Sequence, residues 1–393
     1  MRSVAPPRPV PGMQNDVRPL GSLEALPLEV LRKMLSGLRA TDVRGVCTAL
    51  RDQFDFGNTA LALREPTGCP EATELAARMT ALFRRSQAVA TLSVHGRSAN
   101  GANGAMKTAL ALPLPLPLLL LLPNLRALDL GYSSLGEASA LAPALSRLTA
   151  LTSLGIGYTS LGEGAAGFAP ALARLTALGS LDIDDGSMGA GVGALAPALR
   201  GMAQLTSLSI GGNFIGGVIV GEAGESGVRA LADALRWRTA LVSLQIVLDT
   251  TMASEDHARG TIAIAALAPA LGGLTALTSL DIHSACMGAS GARALAPALR
   301  QLTALASLDI SHNLLNAAGA RALAPALRRL TALASLDISY CNMQEKGAFA
   351  IAPVLARLAA LRVLDIGHNK LGRRTRAMFR GLKRTSKIER ISM

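Results

Sequence analysis

The sequence is poor in aromatic side chains and in cysteines. Aromatic residues make up 3% of the 393 residues, with a single Trp, although half of the chain is hydrophobic. A core of Leu and Ala without large rings indicates thin layers repeated many times, and the 39 glycines agree with this. The four cysteines have no paired spacing, which argues against a disulfide framework and fits reduced thiols in the cytoplasm or nucleus.

The chain also lacks a convincing membrane or secretion signal. Residues 1–22 are polar and Pro-rich, without the apolar stretch of a signal peptide, and are interpreted as a disordered tail. The apolar segment "ALALPLPLPLLLLLP" at 109–123 is shorter than the roughly 20 residues of a spanning helix, and prolines interrupt it. We therefore expect no membrane partner and a location in the cytoplasm or nucleus.

Positive charge is concentrated at one end. The net charge is +12, and residues 370–393 hold nine Lys or Arg and one Glu, which is +8. The other 369 residues therefore carry only about +4 in total. A high pI often indicates nucleic-acid binding. Here it mainly describes a basic C-terminal cap, so no nucleic-acid partner is expected.

Catalytic constellations are missing too. The segment "GANGAMKT" at 101–108 resembles a phosphate loop, but Lys107 does not follow Gly104 directly, as that motif requires. The five histidines lack the sequence spacing of metal ligands, although repeat stacking would bring His283 and His312 onto neighbouring strands. We expect no enzyme activity, no metal and no cofactor.

What the chain has is a repeat. The pattern L-x-x-L-x-[LI] starts at nine positions, with a weaker start at Val89: Leu125, Leu151, Leu178, Leu205, Leu241, Leu277, Leu305, Leu333 and Leu361. Each unit opens with a period-two strand such as "LASLDIS" and continues with leucines at helical spacing, such as Leu323, Leu327 and Leu330. Neither half buries its leucines alone, whereas stacked neighbours form one core.

This pattern resembles the leucine-rich repeats of the ribonuclease-inhibitor-like subtype. The resemblance implies an α/β solenoid over residues 89–369, with about ten repeats, a parallel inner sheet and outer helices in a horseshoe. A proline eight residues before most strands predicts helices that start late, near the proline, or kink there. In the repeat beginning at Leu205, Asp233 replaces the proline and Arg238 a helix leucine, so this layer must pack differently.

The resemblance also implies a concave face that binds a protein target. The residues expected there form an Asp column and a Tyr/His column: Asp129, Asp182, Asp281, Asp309, Asp337 and Asp365, then Tyr132, Tyr158, His312, Tyr340 and His368, with His283 one residue earlier than the second column. They predict an acidic strip edged by aromatic rings that grips a basic partner. The alternative is that Asp is simply the usual residue of this repeat subtype at its position.

Two neighbouring repeats carry insertions between strand and helix. Their acidic residues and one imidazole predict a binding rim, formed by Glu222, Glu225, Glu255, Asp256 and His257. A loop insertion without function is the alternative.

The segment "LPLEVLRKMLSGLRATDV" within residues 23–56 resembles an F-box, a small all-α module. The matching positions are Leu26, Pro27, Val30, Leu31, Met34, Leu35, Leu38, Asp42 and Val43. The family's Trp falls at Gln53, which is a departure. The resemblance implies that residues 26–54 dock the Skp-type linker subunit of a cullin–RING ubiquitin ligase. Residues 57–88 are then a linker or capping helix.

Three functions follow from these patterns. The first is a substrate-recognition adaptor of such a ligase, which holds a target near the transferring enzyme. The second is a regulator of small GTPases, because the Ran GTPase-activating proteins share this repeat subtype. The third is a plain scaffold or sensor in which the N-terminal helices only cap the leucines of the first repeat.

Overall fold

The structure is a computed structural model that describes eight stretches of the chain: residues 60–64, 91–95, 124–130, 138–157, 165–184, 192–211, 222–248 and 256–393. The chain divides into two compact units, Met1–Ser160 and Leu161–Met393. The F-box-like segment, including every residue assigned to linker-subunit docking, lies outside the described residues. No helix in the described stretches is long and apolar enough to span a membrane.

The first unit contains four described strands and one described helix. The strands are β1 (Ala60–Arg64), β2 (Thr91–His95), β3 (Ala127–Asp129) and β4 (Ser153–Gly155), and the helix is α1 (Ala138–Leu145). Neighbouring strands in this order pair in parallel.

Strand β1 corrects one expectation, since its residues were assigned to a linker or capping helix. It pairs with β2 through Ala60 and Thr91. The segment "ALALR" is short and is followed by a proline two residues later, which suits a strand better than a helix. The repeat array therefore extends further toward the N-terminus than Val89.

The second unit contains eight described strands, all parallel. They are β5 (Ser180–Asp184), β6 (Ser207–Gly211), β7 (Ser243–Ile246), β8 (Ser279–Asp281), β9 (Ser307–Asp309), β10 (Ser335–Asp337), β11 (Val363–Asp365) and β12 (Arg390–Ser392). Each pairs with the next in chain order, so the strand sequence is the spatial order.

A helix lies before or between these strands in every described repeat. The helices are α2 (Ala165–Leu172), α3 (Val192–Gly201), α4 (Glu222–Leu235), α5 (Asp256–Gly272), α6 (Gly288–Leu299), α7 (Asn316–Leu327), α8 (Gln344–Leu355) and α9 (Arg373–Thr385). This strand–helix alternation in a parallel sheet is a leucine-rich-repeat solenoid.

The leucines of the repeat form the core, as the pattern predicts. Leu308 of β9, Leu323 and Leu327 of α7, and Leu330 just after α7 are each at most 1% exposed. Burial of one such side chain stabilises the fold by about 1.5–3 kcal/mol. The residues on either side of Leu308, Ser307 and Asp309, are only partly buried and lie on the opposite face of the sheet. We call this helix-free surface the open face.

The prediction that helices start near their prolines is wrong. Helix α6 begins at Gly288, well before Pro297, and α7 begins at Asn316, well before Pro325. Proline lacks the N–H that would bond to the carbonyl four residues earlier, here that of Arg293. Pro297 and Arg293 are both exposed, so water can satisfy this carbonyl. Solvent exposure is therefore what makes a proline tolerable inside these helices.

The repeat beginning at Leu205 does pack differently. Arg238 occupies the position of a core leucine, is half-buried, and donates from Nη1 to the carbonyl of Met202 at 2.6 Å. The neighbouring Trp237 is 67% exposed. Asp233, in place of the proline, is exposed and lies 3.6 Å from Arg236.

The basic C-terminal segment forms helix α9 and strand β12. Phe379 of α9 is fully buried, and β12 pairs with β11. The cations of α9 lie on its exposed side, and Arg374 stands 5.9 Å over the Phe349 ring of α8. The charge is therefore solvated while the opposite side of the helix covers the last repeat.

Candidate functional site

A row of carboxylates crosses the open face of the second unit. The parallel register aligns Asp281, Asp309, Asp337 and Asp365 on β8, β9, β10 and β11. Adjacent strands lie about 4.8 Å apart, so neighbouring carboxylates are close. The same register position holds Ser209 and Gln245 on β6 and β7. The row is therefore continuous only over the last four Asp strands.

Each of these aspartates has a structural role. Oδ1 of Asp309 accepts a hydrogen bond from the backbone N–H of Ser311 at 2.9 Å. Asp337 accepts in the same way from Ser339, and Asp365 from Gly367. The carboxylates thus satisfy backbone donors where each strand turns away, which is one reason why this repeat places Asp there.

Burial and neighbouring charges shift the pKa of Asp309, which lies in the middle of the row. Burial raises the pKa of the Asp309 carboxyl, while hydrogen bonds from Ser311 oppose this and the charges of Asp281 and Asp337 add to it. No ion pair joins Asp309 to a Lys or Arg in the stretches that the structure describes. Within these stretches Asp309 is therefore not paired with a basic side chain, whereas Asp281 Oδ1 lies 2.8 Å from His283 Nδ1.

Buried asparagines support the turns that follow the strands. Asn313 accepts from the N–H groups of Ala285 and Met287 at 3.1 and 3.3 Å, and its amide donates to the Ile282 carbonyl at 2.6 Å. Asn369 makes the same set of bonds one repeat pair further on, to Cys341, Met343 and Ile338.

Between these asparagines, Cys341 stands in for the missing one. Its Sγ donates to the Ile310 carbonyl at 3.2 Å, and the thiol receives hydrogen bonds from the backbone of Asn313 and Leu315. Burial raises the pKa of Cys341 to about 12, so the thiol stays protonated and able to donate. The side-chain support of these turns therefore continues at Cys341 through sulfur in place of an amide.

These turns place three rings in one stack. His312, Tyr340 and His368 follow successive strands and share a left-handed backbone, with φ of 56°, 53° and 55°. The N–H groups of His312 and Tyr340 bond to carbonyls of the next repeat, those of Ser339 and Gly367. Non-glycine residues adopt this conformation at a cost of about 1–2 kcal/mol, so the turn geometry must be strongly determined.

The stack is nearly parallel. Ring centroids of His312 and Tyr340 are 4.1 Å apart with planes at 14°, and those of Tyr340 and His368 are 4.0 Å apart at 13°. Each pair stabilises its arrangement by about 0.5–1.5 kcal/mol beyond burial. Tyr340 remains 43% exposed, so its edge and hydroxyl reach solvent. The stack forms an aromatic ridge alongside the Asp row, just beyond the ends of β9, β10 and β11.

At the β8 end of the row, an imidazole joins the carboxylates. His283 Nδ1 lies 2.8 Å from Asp281 Oδ1, and this oxygen also accepts from the His283 backbone N–H at 3.0 Å. Asp281, His283 and Asp309 offer metal-ligating atoms that all lie within 4.8 Å of one another. The sequence placed His283 near the strip but did not single out this trio.

Tyr132, Tyr158 and Glu255 lie outside the described residues. Asp129 belongs to β3 of the first unit, and Asp182 is an exposed residue of β5.

Of the expected acidic rim, the structure places three residues on helices without describing their side chains: Glu222 at the start of α4, and Asp256 and His257 at the start of α5. Glu225 pairs with Arg229 of the same helix at 2.9 Å. This exposed pair uses one of the rim carboxylates within α4.

Sequence reasoning missed Ser209 and Gln245, whose side chains hydrogen-bond at 3.3 Å and interrupt the row. The sequence could have shown this interruption, because Ser209 and Gln245 occupy the position that Asp holds in most other repeats. The stacking of the rings was also not foreseen, although the shared column was.

Comparison with known families agrees with the geometry. The family model for the leucine-rich repeat matches residues 273–296 and 330–352, which include β8 and β10 and the starts of the helices that follow. The chain therefore carries leucine-rich repeats. No curated protein matches it in sequence.

Solved structures with a similar course of the chain include an internalin (inlF) from Listeria monocytogenes str. 4b F2365. It is 16% identical, with 95% of this chain and 99% of that chain covered and a TM-score of 0.46. Another is the TLR13–ssRNA13 complex, 17% identical, with 73% of this chain and 40% of that chain covered and a TM-score of 0.41.

Proposed function

We propose that this leucine-rich-repeat protein is a non-catalytic recognition scaffold whose open face binds a basic segment of a partner protein. The observation that supports this best is the stacked His312–Tyr340–His368 ridge beside the row of aspartates on β8 to β11. Carboxylates attract Lys and Arg, and a fixed, partly exposed Tyr contributes contact area at little entropy cost.

The partner proposal is tested with immobilised basic, neutral and acidic peptides and the purified full chain. We expect preferential binding to the basic set, weakening as salt rises. Tyr340→Asn removes the ring while Asn tolerates the left-handed backbone, and it should weaken binding by about tenfold or more. Phe349→Asn is the matched control, because it removes a ring of similar exposure (40%) on α8. Equal binding to acidic and basic peptides would contradict the proposal.

At a finer level, we propose that the scaffold is the substrate-recognition adaptor of a cullin–RING ubiquitin ligase. The support is the ungapped F-box-like sequence from Leu26 to Asp42, ahead of the repeats. Such an adaptor catalyses nothing itself; it raises the effective concentration of the bound target near the transferring enzyme.

The adaptor proposal predicts co-precipitation of a recombinant Skp-type subunit with the purified chain. Leu31→Asp together with Leu35→Asp should abolish it, because charge on an apolar docking stripe is costly to bury. Tyr340→Asn should leave this interaction intact, and the double Asp variant should still bind basic peptides. Failure of the folded wild-type chain to bind any Skp-type subunit would reject the adaptor function. Faster GTP hydrolysis by a small GTPase would instead favour the GTPase-regulator alternative.

A further inference from the structure

We propose that Asp281, His283 and Asp309 form a binding site for a divalent transition-metal ion, with Zn²⁺ as the probe of choice. One ligating atom from each residue lies within 4.8 Å of the other two, and all three residues are half-buried. The site shares Asp281 and Asp309 with the Asp row, but metal uptake is measured on the chain alone, without the proposed partner.

The repeat explains why the site arises once in this row. Asp281 and Asp309 are register partners on β8 and β9. Two residues after each Asp of the row comes a different residue: His283 after the first, then Ser311, Ser339 and Gly367. Only His283 among these offers a strong metal ligand, so three donors converge only at the β8 end.

The donor set indicates the class of metal. Two carboxylates and one imidazole form a mixed oxygen and nitrogen site, which suits Zn²⁺, Co²⁺ or Ni²⁺ better than Ca²⁺ or Mg²⁺, which prefer oxygen ligands throughout. The 2.8 Å between Asp281 Oδ1 and His283 Nδ1 is a hydrogen-bond distance. Two ligands with bonds of about 2.0–2.1 Å on a tetrahedral ion lie about 3.3 Å apart, so this pair would open by about 0.5 Å as the metal displaces the proton between the two atoms. Asp309 completes the set after a modest side-chain rotation.

The surroundings hold the carboxylates in place without neutralising them. Backbone N–H groups of His283 and Ser311 orient the Asp281 and Asp309 side chains. Such outer bonds are typical of ligands at metal sites. Three protein ligands would leave further positions for water or for a group of a partner.

The test is titration of the chelator-treated full chain with Zn²⁺ by calorimetry, and with Co²⁺ by visible absorption. Wild type should take up Zn²⁺ at this site, and Asp309→Asn and His283→Ala should each weaken that uptake by at least about tenfold, as even outer partners of ligands do. The amide introduced by Asp309→Asn would keep an oxygen for the Ser311 N–H, and circular dichroism would verify folding of both variants.

Asp365→Asn is the matched control, because Asp365 shares the row and the backbone hydrogen bond but stands two strands from Asp309. It should bind Zn²⁺ as wild type does. No uptake by wild type, or unchanged uptake in both Asp309→Asn and His283→Ala, would overturn the proposal. The proposed binding of basic peptides does not require a metal ion. The peptide experiment and the metal titration therefore test the two proposals separately.

Discussion

Asn313→Ala tests the idea that buried asparagine amides hold the turns that carry the site. Asn313 is fully buried, and its side chain accepts from Ala285 and Met287 and donates to three carbonyls. Alanine removes all five hydrogen bonds and leaves a small cavity. We expect this single change to be among the most destabilising in the repeat array.

The magnitude follows from the groups left without partners. In Asn313→Ala, the Ile310 carbonyl still accepts a hydrogen bond from the Cys341 thiol, and the Ser311 carbonyl still accepts one from the Ser284 N–H. The N–H groups of Ala285 and Met287 lose the Asn313 oxygen, and the Ile282 carbonyl loses the Asn313 amide. A buried polar group without a partner costs about 1–3 kcal/mol, so the three together cost about 3–9 kcal/mol.

The measurement is urea unfolding followed by circular dichroism, with hydrogen exchange at the Ala285 and Met287 amides. Exchange at both amides should accelerate in Asn313→Ala, because they lose their acceptor. Gln301→Ala is the control: it deletes an exposed side-chain amide and should change the free energy of unfolding by less than about 0.5 kcal/mol. A loss below about 1 kcal/mol with unchanged exchange would refute the reasoning.

Two further predictions concern ionisable groups. Because burial raises the pKa of Cys341 to about 12, its thiol should resist thiol-specific reagents at pH 8 in the folded protein and react after unfolding. Rapid labelling of the native thiol would contradict this. The raised pKa of Asp309 stabilises the folded state below the carboxyl's ordinary value of 3.8, and that stability is lost as pH rises through the folded pKa. Asp309→Asn should therefore gain melting temperature over wild type at pH 7, and this gain should shrink at pH 3. The same difference in melting temperature between variant and wild type at both pH values would argue against the prediction.

Much of the architecture was readable from the sequence because the repeat constrains it. A period-two strand and a helical leucine stripe recur at nearly fixed spacing, and neither is stable unless it stacks on its neighbours. The burial of Leu308, Leu323 and Leu327 follows directly from that pattern. The Asp row follows as well, since parallel strands of equal repeats come into register.

Helix boundaries were less predictable from the sequence. The sequence shows that a proline removes a backbone donor, but it does not show whether the carbonyl left without that donor is exposed to water. Pro297 and Pro325 lie well inside their helices, and the residues whose carbonyls they deprive of a donor, Arg293 and Arg321, are exposed, so water can take the place of that donor. Strand β1 was missed for a related reason. A five-residue apolar alternation is short, and only pairing with β2 shows that it belongs to the array.

The sequence by itself determined the repeat, its strand–helix order, the leucine core and the residue columns on the open face, because these depend on periodicity. Only the tertiary structure decided how residues from different repeats meet. The ring stack requires three left-handed turns with the same geometry. The Asp281, His283 and Asp309 trio requires adjacent strands and a turn that directs the imidazole back toward its own Asp. Both depend on distances across repeats, which a one-dimensional pattern does not contain.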